Sequence, residues 1–239
     1  MANLARLRYA RFPNWSRCCY IFVFLGRKQV TNKDTGKHIT VDLLRHGEPG
    51  GGDILRGRVD PQLTDRGWRQ MEAAAGRAEA NWTHIVTSPL QRCRDFAHRL
   101  AQGRQLELQI EDDWQEIDYG DWDGMPIAEW RARSAPQFRS FREDITALAP
   151  PNGETFIDFR DRVLGAWDGL ARLPGGSHVL LVTHGGVMRV ILPTVLGMPL
   201  NQSYPLHIPF ACLSRVLLNV TGKNRRASLL FHNAANPVQ

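Results

Sequence analysis

The stretch Ile39-Thr40-Val41-Asp42-Leu43-Leu44-Arg45-His46-Gly47-Glu48 decides the fold class. Six residues of mostly apolar and β-branched character have the length of a strand, and they break abruptly into Arg-His-Gly-Glu. Two later segments repeat this design. Ile85–Thr87 runs into Ser88-Pro89-Leu90-Gln91-Arg92, and Val179–Thr183 runs into His184-Gly185-Gly186. Helical patterns fill the intervals. Thr64 opens one through about Ala80, and a second starts at Pro89 with apolar positions at Leu90, Cys93, Phe96 or Ala97, and Leu100. Thr155 begins another, with Asp158 completing a capping box and Phe156, Phe159, Val163, Trp167 and Leu170 forming its stripe. Val187–Leu196 reads as a buried helix, Cys212–Val220 and Ala227–Phe231 as a closing strand pair. Residues 112–154 lack a strand pattern and read as an inserted or lid-like region. Strands alternating with helices predict an α/β fold, a three-layer α/β/α sandwich with a mostly parallel central sheet.

Ligands of open α/β sheets bind in the crevice at the carboxyl ends of the strands. If the three strands are parallel neighbours, two histidines and two arginines meet there. Arg45 and Arg92 would offer guanidinium forks that match phosphate oxygens bidentately. Ser88-Pro89 reads as an N-cap with proline at the first helical position, placing Arg92 in the opening turns. Gly47, Gly185 and Gly186 allow close backbone approach. Together these groups suit a dianion held without a metal ion.

Composition narrows the partners. The chain of 239 residues carries 30 Lys and Arg against 24 Asp and Glu. Eight of those bases and one acid fall within residues 1–39, so the remainder holds 22 bases and 23 acids. A nearly neutral body argues against nucleic acid, and the apolar run Cys18–Leu25 is far shorter than a membrane span. Four cysteines without a C-x-x-C pair fit a reducing, cytoplasmic setting. Residues 1–38 read as a mobile basic extension and residues 39–239 as the folded α/β domain; a homo-oligomer is compatible with the sequence.

The phrases Leu44-Arg45-His46-Gly47-Glu48, Leu63-Thr64-x-x-Gly67, Ser88-Pro89-Leu90-x-Arg92 and Thr183-His184-Gly185-Gly186 resemble the histidine phosphatase superfamily, also called phosphoglycerate-mutase-like. Arg56-Gly57-x-x-Asp60 and the compact Glu116-Ile117-Asp118-Tyr119-Gly120-Asp121-Trp122-Asp123-Gly124 are similar to the bacterial alpha-ribazole phosphatase branch. The resemblance implies a phosphate-monoester hydrolase acting on a small phosphorylated metabolite, with alpha-ribazole 5′-phosphate of cobalamin assembly as the leading substrate. It implies His46 as the nucleophile, with Arg45, Arg92 and His184 around the phosphoryl group. Glu116 would be the proton donor, with Asp118 as the alternative. Arg56 and Gly185 would face the substrate, Arg58 less so, and no cofactor or metal is implied. Where many relatives carry threonine after the glutamate, this chain has Pro49 and then Gly50-Gly51-Gly52-Asp53, which leaves the substrate open.

Rival readings remain: a phosphoglycerate-mutase-type phosphotransferase, a sugar-phosphate phosphatase, or a weakly catalytic module binding phospho-ligands. Cys93 and Arg99 satisfy the C-x5-R spacing of cysteine phosphatases, but without the glycine-bearing loop that chemistry requires. Asp121-Trp122-Asp123-Gly124 matches the D-x-D-G phrase of haloacid-dehalogenase-like phosphatases, yet follows no apolar strand.

Overall fold

The computed structural model describes residues 36–78, 81–133, 140, 143–203, 205–222 and 224–233. The expected N-terminal extension therefore lies outside the described residues, apart from its last three. One sheet holds β1 (Lys37–Arg45), β2 (His84–Thr87), β3 (Leu108–Ile110), β4 (His178–Thr183), β5 (Leu213–Thr221) and β6 (Asn224–Phe231). The strand order is β3-β2-β4-β1-β5-β6. The first four strands in this order run parallel, and β5 is antiparallel to both β1 and β6. A mostly parallel sheet was expected. β3 was not, because it is three residues long and two of them are exposed at the sheet edge.

The helices are α1 (Asp65–Arg77), α2 (Gln91–Arg104), α3 (Ile127–Arg133), α4 (Phe156–Leu170) and α5 (Gly185–Leu196). Alternation along the strands sorts the two faces. Val41, Leu43, Val86, Val179 and Leu181 pack with α4 and α5. Leu44, Ile85, Leu180 and Val182 pack with α1 and α2. The expected stripe of α4 is buried at all five positions, each large side chain contributing about 1.5–3 kcal/mol. No helix among the described residues is long and apolar enough to cross a membrane.

Two helix starts form as read. The Thr64 hydroxyl accepts the Gly67 N–H at 3.0 Å, and the Thr155 hydroxyl accepts the Asp158 N–H at 3.1 Å. The third departs from expectation. Helix α2 begins at Gln91, not at Pro89, and neither Ser88 nor Leu90 closes its end with a helix-capping side chain. A distant carboxylate does so: Asp60 accepts the Gln91 N–H at 2.6 Å. Ser88 Oγ accepts the Leu90 N–H at 3.3 Å, just ahead of the helix, and also lies 2.7 Å from His184 Nε2. The region 112–154 contains 3-10 turns and α3, and the turns at Asp112–Trp114 and Gly120–Trp122 flank Glu116.

Asp42 breaks the apolar pattern of β1 and is fully buried. Four donors compensate it: Arg215 Nε and Nη2 at 2.7 and 2.9 Å, Trp82 Nε1 at 2.8 Å and His178 Nε2 at 3.0 Å. Burial alone would raise its pKa, but the bonds from His178, Arg215 and Trp82 outweigh that and hold it below 3.8. Asp42→Ala is expected to cost about 3–5 kcal/mol by stranding the Arg215 cation. Because the native pKa is depressed, this stabilisation is present above pH 3.8 and fades as the pH falls below it. Urea unfolding of both proteins at neutral and acid pH checks this; equal stability at pH 7 would refute it.

Candidate active site

Arg45 on β1 lies opposite Thr183 on β4, and Thr87 on β2 lies opposite Val182. The residues that follow, His46, His184 and Ser88, therefore leave the sheet along one edge. Backbone bonds hold two of these exits: His46 N donates to Thr183 O at 2.9 Å and Ser88 N to Val182 O at 3.1 Å. The rings of His46 and His184 meet edge to face with centroids 5.3 Å apart.

His46 is buried, and its Nδ1 lies 2.8 Å from the Gly47 carbonyl oxygen. A carbonyl only accepts, so Nδ1 carries the proton and the neutral ring keeps its lone pair on Nε2. Burial first, then the charges of Arg45 and Arg92, hold the His46 pKa well below 6.5. His184 is fully buried, with Nε2 2.7 Å from the Ser88 hydroxyl oxygen and the Cys93 sulfur 3.6 Å away. Burial, Arg92 and His46 depress its pKa likewise. Both imidazoles are neutral at pH 7. Since the unfolded chain binds protons these native rings refuse, folding stability should decline as the pH drops below about 6.5. Proton NMR of the imidazole C–H signals from pH 8 to 5.5 should show two histidines that do not titrate. If all of them titrate near 6.5, the assignment of neutral buried rings is wrong.

Three arginines surround His46, and each has a buried Nε–H with no acceptor: Arg45, Arg56 and Arg92. Their terminal nitrogens are anchored. Arg45 Nη1 donates to Ile208 O at 2.6 Å while its guanidinium lies 4.4 Å from the Phe210 ring centroid. Burial draws the Arg45 pKa down to about 10, still charged at neutral pH. Arg56 Nη2 donates to the Gly50 and Gly52 carbonyls at 2.9 and 2.8 Å. Arg92 is fully buried; Nη2 donates to Gly57 O at 2.7 Å, and Nη1 to Val59 O at 2.9 Å and Asp60 Oδ1 at 3.2 Å.

Glu116 is buried against the start of α5, where Oε2 accepts the Gly186 N–H at 2.9 Å and Oε1 the Ile117 N–H at 3.1 Å. A carboxylate suits this helix N-terminus, whose amides are otherwise unpaired. Glycine at 186 leaves the carboxylate its place: a Cβ there would lie 2.0 Å from Glu116 Oε1 and displace it. A cavity of about 240 Å³ is lined by Arg45, His46, Arg56, Glu116, Gly185 and Arg189, with Ile54, Leu55, Tyr119, Ile127 and Ile208 as its less polar wall. Of the residues expected to face substrate, Arg56 and Gly185 line it. Arg92 and His184 stand behind the lining, and neither Asp118 nor Arg58 is part of it.

Three residues here take roles not assigned to them from the sequence. Asp123 accepts the N–H groups of Gly57, Arg58 and Val59 at 2.7, 2.7 and 2.6 Å, which fixes the loop whose carbonyls hold Arg92. Phe210 covers both Arg45 and His46. Arg189 donates to the Leu206 carbonyl at 2.8 Å, on the loop that carries Ile208. A helical i to i+4 reading from Gly185 could have found Arg189; nothing local marks Phe210. The rival motifs dissolve. Cys93 is buried with a thiol pKa raised by burial, whereas Arg99 is exposed and paired with Glu72 at 3.0 Å. Asp121 accepts from Asn152, and Asp123 is enclosed as described.

The family model described as "Histidine phosphatase superfamily (branch 1)" matches residues 41–231. The chain belongs to this superfamily. Among its relatives, "Bifunctional protein Rv2228c" of Mycobacterium tuberculosis is 36% identical over 176 residues, covering 72% of this chain. The chain spans about half, 48%, of that relative's length. "Probable phosphoglycerate mutase GpmB" of Cronobacter sakazakii is 32% identical over 187 residues, 74% of this chain and 84% of that protein. Of the solved structures, a mycobacterial glucosyl-3-phosphoglycerate phosphatase in complex with inorganic phosphate is similar at a TM-score of 0.69 and 28% identity. The match covers 84% of this chain and 99% of that one.

Proposed function

We propose that this chain hydrolyses phosphate monoesters of small metabolites through a phosphohistidine at His46, without a metal ion. The observation that carries the reading is the trio of buried arginine Nε–H donors without acceptors around a neutral imidazole. Buried donors are almost always paired, so three orphans at one site call for an anion. The reading gives each group a step. Nε2 of His46 attacks phosphorus, and the ester P–O bond breaks as Glu116 passes a proton to the leaving alkoxide. The Gly47 carbonyl stabilises the imidazolium character of the phosphorylated ring through Nδ1–H. Water then attacks phosphorus, Glu116 takes its proton, and the P–N bond breaks to release inorganic phosphate. Charge spread over the equatorial oxygens is met by positioned guanidinium groups.

Within this class alpha-ribazole 5′-phosphate is the leading substrate, on the strength of the Arg56-Gly57-x-x-Asp60 phrase and the compact motif around Glu116. The structure gives that phrase a physical use, since Arg56 lines the cavity and Asp60 caps the helix bearing Arg92. The test is phosphate release from alpha-ribazole 5′-phosphate, 3-phosphoglycerate, glucosyl-3-phosphoglycerate and p-nitrophenyl phosphate. Turnover of the last but not the first removes the specific assignment. A phosphohistidine that resists water, with activity that needs a bisphosphate primer to load it, would favour the mutase reading, for which the similarity to GpmB speaks. EDTA is expected to leave the rate unchanged, because guanidinium groups supply the positive charge. A rate lost to EDTA and restored by a divalent cation would overturn the metal-free mechanism.

A further inference from the structure

Glu116 lies on a stretch with no regular secondary structure, between two 3-10 turns. Its carboxylate has two amide partners, but these do not explain what holds the main chain beneath it. The structure shows a clamp. Arg162, on α4, directs all five N–H groups at acceptors. Nε and Nη2 grip the Glu154 carboxylate at 2.7 and 2.8 Å. Nη1 donates to the carbonyls of Asp113 and Gln115 at 2.8 and 3.0 Å, and Nη2 also to that of Glu116 at 3.2 Å. Glu154 adds its own hold on the same stretch: its N–H donates to Asp118 O at 2.9 Å, and its carboxylate accepts the Asp118 N–H at 3.4 Å. The pair is largely buried, with side chains 18% and 15% exposed.

The economy of this arrangement is informative. A guanidinium serving stability alone could be satisfied by any five acceptors, but three of these are main-chain carbonyls at 113, 115 and 116. Lysine, with three donors on a point charge, could not reproduce the fork. Proton transfer depends on geometry at the scale of tenths of an ångström, and groups near the chemistry are held there by such supports.

We propose that Arg162, locked by Glu154, is a positioning residue that sets the Glu116 carboxyl group at the leaving-group side of the cavity. The proposal rests on the reading of Glu116 as proton donor. Its signature is leaving-group dependence. An alkyl phosphate expels a strongly basic alkoxide and needs the proton, whereas p-nitrophenyl phosphate expels a weakly basic phenolate and scarcely needs it. The ratio of kcat/KM for the two substrates, which reports the step up to the phosphorylated enzyme, therefore reads the placement of the acid.

Glu116→Gln should lower kcat/KM for the alkyl phosphate about 100-fold more than for p-nitrophenyl phosphate. Arg162→Ala should show the same selectivity at about tenfold, and adding it to Glu116→Gln should give no further selective loss. Glu154→Gln, which keeps shape and removes the charge that locks Arg162, should act in the same direction more weakly and covers the case that Arg162→Ala folds poorly. A selective Glu116→Gln with equal losses on both substrates for Arg162→Ala and Glu154→Gln overturns the positioning role alone. An unselective Glu116→Gln overturns the acid assignment, and the positioning role with it.

Discussion

His46→Ala is expected to lose roughly 10⁴- to 10⁶-fold in kcat, the scale seen when the nucleophile of a covalent mechanism is removed. The fold should survive, because the ring makes one side-chain hydrogen bond, to the neighbouring Gly47 carbonyl, and its backbone bonds to Thr183 and Ala211 remain. Rapid quenching of the unaltered protein during turnover should trap phosphate on the chain. The linkage should hydrolyse in acid and survive the base that cleaves an acyl phosphate, as a phosphoramidate does. That pattern separates His46 from the aspartates at 121 and 123. His46→Ala with more than a few per cent of native activity, or a trapped phosphate labile to base, would end the phosphohistidine proposal.

The second large effect should come from a single methyl group. Gly186→Ala places a Cβ 2.0 Å from Glu116 Oε1, a distance no structure tolerates. The obstacle is the end of a flexible side chain, so the glutamate moves and the backbone stays. Alanine favours a helix over glycine by up to about 1 kcal/mol, and the residue lies in the first turn of α5. Stability should therefore hold or rise slightly while kcat/KM for an alkyl phosphate falls about 100-fold, within the range of a lost proton donor. Thermal unfolding paired with kinetics checks both halves. A variant of native activity would mean that Glu116 is not where the chemistry needs it. Loss of activity with collapse of the fold would mean that Gly186 matters for packing.

Much of the architecture could be read in advance, for identifiable reasons. The strands β1, β2 and β4 are apolar runs because parallel central strands are buried on both faces. The helix starts at Thr64 and Thr155 are local, since cap and capped amide lie three residues apart. The strand β3 carries no readable period, because it has three residues at the sheet edge and two of them are exposed. Ser88-Pro89 misled because the local pattern suits a cap, whereas Asp60, 31 residues upstream, caps Gln91, and Ser88 accepts only the Leu90 N–H while facing His184.

The site divides along the same line. That His46, His184, Arg45 and Arg92 belong together followed from motifs at the ends of apolar runs, and the register of β1, β4 and β2 brings their exits to one edge. Asp123 under the Arg92 loop, Phe210 over Arg45 and Arg162 beneath Glu116 could not be foreseen, because each meets its partner across 46 to 165 residues of chain.

From the sequence alone came the order of elements, the faces of the strands and the chemical types gathered at their ends. These depend on periodicity and on partners a few residues apart. Only the tertiary structure decided which imidazole nitrogen is free, which arginine donors lack acceptors and what holds the carboxylate. Those properties arise from burial and from contacts between segments that the chain itself keeps far apart.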